Sequence, residues 1–293
     1  MKYAFLEQHR PDYRLSVERF CKLLSASVSG FYQWRKQPVS LREQANNALD
    51  EIILMLFKKH KCRYGYRRIY KALVTSYDYK GSRERVRRRM IAKSLKAKQR
   101  KAYKVTTDSD HDLLISPNIL NRAFDVSKPN QKWVGDITYI NTDQCWLYLA
   151  TVIDLYSRKV VGWSMQPHMK AGLVCDALNM ALVKRGYPKG VLFHSDRGSQ
   201  YCSYAFRDIM DEYEFVQSMS RKGNCWDNAV AESFFKTLKS EETDDRGFKT
   251  IEEAKRVVFN YIEVYYNRQR MHSSIQYQIP AEYEALWLMK KAA

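Results

Sequence analysis

The 293-residue sequence has no uninterrupted run of about 18 apolar residues, so no membrane-spanning helix is expected. Its opening stretch, MKYAFLEQHRPDYR, lacks the apolar segment of a secretory signal, and none is expected there. The six cysteines, Cys21, Cys62, Cys145, Cys175, Cys202 and Cys225, form no C-x-x-C pair. Neither a zinc ribbon nor a disulfide framework is indicated, and a reducing, cytoplasmic compartment is the simplest expectation. No internal repeat is present, and no heptad pattern is sustained over three turns. At 45% hydrophobic residues the chain has enough apolar material for a real core, so wholesale disorder is not expected.

Acidic residues are scarce in one place only. The chain carries 50 Lys and Arg against 32 Asp and Glu, a formal +18. From Lys58 to Lys104 there are 19 bases and two acids, Asp78 and Glu84, which is nearly the whole excess. Residues 129–293 hold 21 bases and 20 acids. A solvated face normally mixes both signs, so a stretch this one-sided implies a polyanionic partner, most commonly nucleic acid. An anionic membrane surface is the rival. Against it, Arg83, Arg85, Arg87, Arg88 and Arg89 lack the bulky apolar face of a helix that lies on a membrane.

The basic half reads as helical. Val17, Phe20, Cys21 and Leu24 recur at i, i+3, i+4 and i+7. Ser25-Ala26-Ser27 interrupts them, and Val28, Phe31, Tyr32 and Trp34 predict a second short helix ending before Pro38. Two short helices around a tight break have the pattern of a helix-turn-helix. Ser40 to Glu43 is a capping box opening a helix striped by Ala45, Leu49, Ile52, Ile53 and Leu56. Gly65 allows a turn before a helix from Tyr66 to Leu73, and Ser82 caps another from Arg83 to about Leu95. Too few acids lie nearby to pair the arginines of this last helix, which suit a DNA groove and its flanking phosphates.

The second half changes period. KWVGDITYI (132–140) is apolar on both alternating faces around one Asp, as in a central strand covered on both sides. Strands over Cys145 to Ile153 and Lys159 to Met165 come next by short connections, which makes an antiparallel meander. Then come a helix (Lys170 to Arg185), a short strand (Gly190 to His194), a helix (Tyr201 to Glu214), a short strand (Phe215 to Met219) and helices over 227–240 and 251–267. This order predicts an α/β layer fold with a mixed sheet, the first and fourth strands being neighbours. The expected domains are a small helical region (1–40), a basic helix-turn-helix-like DNA-binding domain (41–100), a linker without periodicity (101–128) and an α/β domain with C-terminal helices (129–293).

Three acids stand out. Asp136 lies inside an apolar strand, where a carboxylate is costly unless paired or bound to metal. Asp196 comes after the fourth strand, beside Gly198, and Glu232 lies on a predicted helix. Neighbouring first and fourth strands would bring Asp136 and Asp196 to one sheet edge, and the later helix can deliver Glu232. Three carboxylates make an oxygen-donor site for Mg²⁺ or Mn²⁺. Two ions about 3.5–4 Å apart activate an attacking oxygen and stabilise a leaving one in phosphodiester chemistry. Asp154 is a further acid near a strand end, for which a turn cap is the simpler role. His194 could orient Asp196 or contact phosphate, and Asn228 could cap the Glu232 helix or touch DNA.

Three segments, WVGDIT (133–138), HSDRGSQY (194–201) and NAVAESFFKTLK (228–239), resemble motifs of bacterial insertion-sequence transposases. The likeness is to the second-reading-frame products of the family named after insertion sequence three. Their catalytic half is similar to the DDE integrase core of retroviral integrases. The 35 residues between Asp196 and Glu232 match the family's spacing. The resemblance implies an RNase H-like integrase core, a mixed five-stranded sheet with helices, preceded by an all-α helix-turn-helix region. It makes Asp136, Asp196 and Glu232 the catalytic, metal-binding triad, with two Mg²⁺ (or Mn²⁺) ions, and puts the family's basic residue on Lys239. CRYGYRRIYKAL (62–73), with Arg67 and Arg68, and the arginine helix match the family's DNA-binding region. Tyr266 to His272 matches its late YNxxRxH element, with Arg268 and Arg270 as expected DNA contacts. The zinc module of retroviral integrases is missing, since His60 and Cys62 have no second pair at fitting spacing.

The function this resemblance implies is that of a Mg-dependent polynucleotidyl transferase, which cuts at a transposon end and joins the freed 3′ hydroxyl to target DNA. The implied partners are double-stranded DNA, further copies of the chain, and the first-frame product or a fusion with it, at the nucleoid in the bacterial cytoplasm and with no membrane. Two rival functions are a metal-dependent nuclease without strand transfer and a DNA-binding regulator inactive without the first-frame partner. The triad does not separate the first rival, and its completeness speaks against the second.

Overall fold

The computed structural model describes residues 2–13, 15–36, 40–98, 114–222, 224–244 and 246–292. The chain divides into two compact units, Met1–Lys96 and Ala97–Ala293.

The first unit is helical: α1 (Lys2–Tyr13), α2 (Val17–Leu23), α3 (Val28–Lys36), α4 (Leu41–Lys59), α5 (Tyr66–Ser76) and α6 (Arg83–Ala92). Three serines set helix starts. Ser16, Ser40 and Ser82 each accept a hydrogen bond from the backbone N–H three residues on, worth about 1 kcal/mol apiece. Leu6, Val17, Phe20, Cys21 and Phe31 form one small core. Leu49, Ile53, Leu56, Ile69, Leu73, Val86 and Met90 are buried where α4, α5 and α6 pack together. The polar α1 gave no periodic signal. The turn between α4 and α5 is made by Lys61 and Cys62, both left-handed (φ 51° and 60°), whereas Gly65 is an ordinary extended N-cap.

The second unit is built on β1 (Lys132–Asn141), β2 (Trp146–Asp154), β3 (Val160–Gln166), β4 (Leu192–Ser195) and β5 (Val216–Met219), in the spatial order β3-β2-β1-β4-β5. β1, β2 and β3 are antiparallel; β4 runs parallel to β1, and β5 to β4. The mixed five-stranded sheet and the β1–β4 neighbours are as the sequence predicts. One face, with Trp133, Ala150, Val152 and Val161, packs on α7 (Ala171–Arg185) and α8 (Tyr204–Glu212). Gly162 lets α7 close in, because a Cβ there would lie 2.1 Å from the Ala177 carbonyl oxygen. The opposite face alternates with it. Val134, Ile140, Leu147, Leu149 and Ile153 are buried there, and the register puts Asp136, Thr138 and Thr151 among them. α9 (Ala229–Leu238) lies against β1.

Two helices depart from the expected form. A 3₁₀ turn, Cys225–Asn228, precedes α9, and a π-helical segment, Lys239–Thr243, extends it. α10 (Ile251–Phe259) likewise passes into a π-helical Asn260–Tyr266. The wider turns hold a buried network in which Tyr261 Oη donates to Glu241 Oε2 (2.8 Å) and Arg270 forks onto the same carboxylate (2.7–3.1 Å). Asn267 clamps the first residue of β3, accepting from Val160 N–H (3.0 Å) and donating to its carbonyl (2.9 Å). A final helix, α11 (Pro280–Ala292), is docked by Glu284, which meets Arg185, Lys159 and Ser157.

The expected linker is only partly one. Residues 101–113 lie outside the described residues. Residues 114–128 pack on the sheet edge: Leu120 is buried, Ile119 and Leu120 donate to Ser218 Oγ, and Met219 N–H donates to the Pro117 carbonyl. Among the described residues, no helix is long and apolar enough to cross a membrane.

Candidate active site

Parallel pairing of β1 with β4 matches Trp133 to Phe193 and Val134 to His194. Continued by two residues, that register sets Asp136 beside Asp196. Asp136 Oδ1 accepts from Ile137 N–H (2.8 Å), and Asp196 Oδ1 accepts from Gly198 N–H (3.0 Å), which fixes each carboxylate from its own backbone. Glu232 is in the first turn of α9 and pairs with Lys236 one turn on (3.1 Å). Burial raises the Asp136 carboxyl well above the usual carboxylate range, and the charges of Asp196 and Glu232 push it further. All three acids therefore share one electrostatic neighbourhood.

The surroundings hold that neighbourhood together. Gly135 leaves room for Phe193 and Tyr201, since a Cβ there would meet Phe193 Cζ at 2.5 Å and Tyr201 Oη at 3.3 Å. Tyr201 is buried, and its hydroxyl is pushed well up first by burial and then by Asp136 and Asp196. Sequence reasoning missed this residue, although it closes the motif after Asp196. Asn228 occupies the N-cap position of α9 without a side-chain cap hydrogen bond; its amide donates instead to the Gly135 carbonyl (3.0 Å), tying the entry of the Glu232 helix to β1. Lys239 Nζ sits over the Tyr139 ring (4.5 Å from the centroid), and burial lowers its pKa. The charge of Asp136 also acts on it.

Several expected DNA contacts are built into the interior instead. His194 is fully buried between Ser218 (2.9 Å) and Ser220 (3.1 Å), and burial lowers its pKa to about 4. It braces β4 against β5 and does not reach phosphate. Asn228 is buried on Gly135, and Arg270 is buried on Glu241. Asp154 is the turn cap expected, accepting from Asn130 and Tyr156 N–H. Asp227, which sequence reasoning also missed, is fully buried and held by Arg221 and Arg122, with Asn118 donating as well. It locks the loop before α9.

In the first unit, Arg89 forks onto Asp50 of α4 (Nε to Oδ1 2.8 Å), and Arg85 donates to Asn46 (3.0 Å). The missing acid is supplied by a residue 39 positions upstream. Those two arginines fasten α6 to α4 and are half-buried. Arg67, Arg83, Arg87 and Arg88 are exposed, Arg87 pairing with Glu84; Arg68 is half-buried over the Tyr64 ring. In the second unit, Arg268 is exposed.

Among the described residues, no three His, Cys, Asp or Glu side chains are gathered closely enough to hold an ion as they stand. The donor chemistry nevertheless fits a hard cation, with three oxygen ligands of one sign around a carboxyl whose charge is disfavoured. Polar atoms nearby fit it too. Thr138 Oγ1, Thr151 Oγ1 and Asn228 Oδ1 are buried without a hydrogen-bond partner among the described residues.

Family models match three stretches: two integrase core domain models over residues 126–225 and 213–280, which overlap, and an HTH-like domain over 44–103. The chain is 42% identical over 286 residues to the transposase InsF for insertion sequence IS3A of Escherichia coli (strain K12), covering 97% of this chain and 98% of that protein. It is 40% identical over 263 residues to an insertion element IS600 uncharacterized 31 kDa protein of Shigella sonnei, covering 90% of this chain and 96% of that one. Among solved structures, the HTLV-2 integrase catalytic core domain in complex with magnesium is 16% identical, covering 54% of this chain and 97% of that one with a TM-score of 0.38. A likeness of that size carries no functional weight.

Proposed function

This chain belongs to the transposases of the insertion sequence IS3 family, and from that premise we propose that it cuts and joins DNA at Asp136, Asp196 and Glu232. The observation that carries the proposal is the like-charged neighbourhood at Asp136 on β1, where Asp196 and Glu232 both push the Asp136 carboxyl up. Such a site gains most from cations. A bound Mg²⁺ or Mn²⁺ pair supplies Lewis acidity to the phosphodiester oxygens, with the three carboxylates as its protein ligands. Asn228 keeps the start of α9 on β1 and so keeps Glu232 in reach. Lys239, lodged over Tyr139, presents a cation to the DNA strand beside the acids. The exposed Arg67, Arg83, Arg87 and Arg88, with Arg268 on the second unit, hold duplex backbone. The substrates are then transposon ends and target DNA, bound by more than one copy of the chain in the bacterial cytoplasm.

The test is Asp196→Asn, which keeps the acceptor for Gly198 N–H. End cleavage and strand transfer should fall by on the order of 10³-fold or more, the loss of several kcal/mol of charge stabilisation. Binding to end DNA should persist. Cleavage near the wild-type rate with Mg²⁺ would overturn the assignment, and cleavage by the wild type without joining would make the chain a nuclease.

A further inference from the structure

The proposed function assigns Thr151 and Thr138 no role, yet their placement calls for a partner. Thr151 is directly opposite Asp136 in the β1–β2 register, and side chains so paired lie about 4.5–5.5 Å apart at Cβ on the same face. Thr138 is two residues along β1, also on that face. Each is 1% exposed, and neither hydroxyl has a hydrogen-bond partner among the described residues. A buried hydroxyl left unsatisfied costs about 1–3 kcal/mol. Valine would fill nearly the same space without that cost, and aliphatic side chains fill the neighbouring positions of the face: Val134, Ile140, Leu147, Leu149 and Ile153. Two uncompensated hydroxyls flanking a half-buried acid are therefore a poor way to build a core and a good way to receive polar groups from outside the protein.

We propose that Thr151 and Thr138 hold the water ligands of the divalent ion bound at Asp136, accepting hydrogen bonds from them without touching the ion. The proposal rests on the reading of Asp136 as a metal ligand. Mg²⁺ dehydrates reluctantly and usually binds through one or two carboxylates while keeping several waters. Its waters are strong donors, and each threonine oxygen offers two acceptor lone pairs. Asp136 cannot be the hydroxyls' partner as it stands, because neither makes a hydrogen bond in its presence. A third unsatisfied acceptor belongs to a residue hydrogen-bonded next to Asp136. The Asn228 amide nitrogen is engaged with the Gly135 carbonyl, next to Asp136, and its buried oxygen is left open. Three neutral acceptors thus belong to the strand register and loop around one anchored carboxylate, an arrangement that suits a hydrated cation and adds no charge.

The experiment uses the full chain without DNA and titrates Mn²⁺ by calorimetry and by the Mn²⁺ electron paramagnetic resonance signal. Thermal unfolding is measured separately in the absence of metal. Thr151→Val should weaken Mn²⁺ binding about 10- to 100-fold, the usual effect of removing a group that orients metal ligands. Its metal-free unfolding temperature should stay level or rise, because an uncompensated hydroxyl has gone. Thr138→Val should act in the same direction, and Thr151→Ser, which keeps the hydroxyl, should bind Mn²⁺ like the wild type. Wild-type affinity in Thr151→Val, with affinity lost in Asp136→Asn, overturns this proposal and leaves the triad standing. Wild-type affinity in both variants overturns the triad's metal role together with it. A lower metal-free unfolding temperature in Thr151→Val would show that the hydroxyl serves the fold, and would equally overturn the proposal.

Discussion

The two units handle charge in opposite ways. Among the described residues of Met1–Lys96 the cations mostly stand outside and a single acid, Asp50, is buried. In Ala97–Ala293 acids are carried inside: Asp154, Asp227, Glu241, Glu242 and Glu284 are all buried. Each of these has an arginine: Arg185, Arg221 with Arg122, Arg270, Arg246, and Arg185 again. Asp136 is the contrast, because the strongest charges acting on it are two further acids. Interior charge in this unit is thus neutralised wherever it serves the fold and left crowded with its own sign where chemistry is proposed. A basic surface suits a polyanion; a half-buried acid among acids suits a cation.

Removing a base from the interior should break the comparison hardest. Arg270→Ala leaves Glu241 buried without its guanidinium, and should cost about 3–5 kcal/mol of stability, read as a lower urea midpoint for the second unit. Arg270→Met with Glu241→Gln should recover part of that loss, since no bare charge remains. A change below about 1 kcal/mol in Arg270→Ala, the range of an exposed ion pair, would mean that the network is ornamental.

An intermediate effect is expected at Asp50, the interior acid of the first unit. Its hydrogen bonds from Arg89 hold its carboxyl below the usual range. A lowered folded-state value stabilises above the unfolded value, about 3.9, and that stability is lost as pH falls through the folded value. The first unit should therefore lose stability below about pH 4, and Asp50→Asn should flatten that dependence while costing about 1–3 kcal/mol at neutral pH. Equal acid sensitivity in wild type and variant would detach the pair from the unit's stability.

The smallest effect on stability should come from the exposed arginines. Replacing Arg83, Arg87 and Arg88 by Ala should leave unfolding nearly unchanged. It should flatten the log–log salt dependence of DNA binding by up to about 2.7, at roughly 0.9 per phosphate contact. An unchanged slope would mean that this face meets something other than DNA.

The same contrast explains what the sequence disclosed. β1 to β3, α7 and the caps at Ser40 and Ser82 are legible because each depends on local period or on a partner three residues away. The acids proposed for the chemistry, Asp136, Asp196 and Glu232, stand out in the sequence as one anomalous carboxylate in an apolar strand, a turn glycine and a spacing. The internal bonds of Arg89, Arg270, His194 and Asn228 are not legible because their partners are distant: Asp50, Glu241, Ser218 and Gly135 lie 39, 29, 24 and 93 positions away. A basic side chain looks available for DNA until the fold delivers its acid. The π-helical turns after α9 and within 251–267 were invisible for a related reason, since the Glu241–Arg270–Tyr261 network they accommodate exists only once both helices are packed.

The packed strap before β1 and the Asn267 clamp have a consequence for self-association. An open sheet ends in two rows of backbone groups that can template another strand, and so invite edge-to-edge aggregation. On β5, Pro117 and the Ser218 contacts with Ile119 and Leu120 occupy that edge; on β3, Asn267 takes both backbone groups of Val160. At these positions the sheet edges are taken by the chain's own residues and are not open to a strand from another copy.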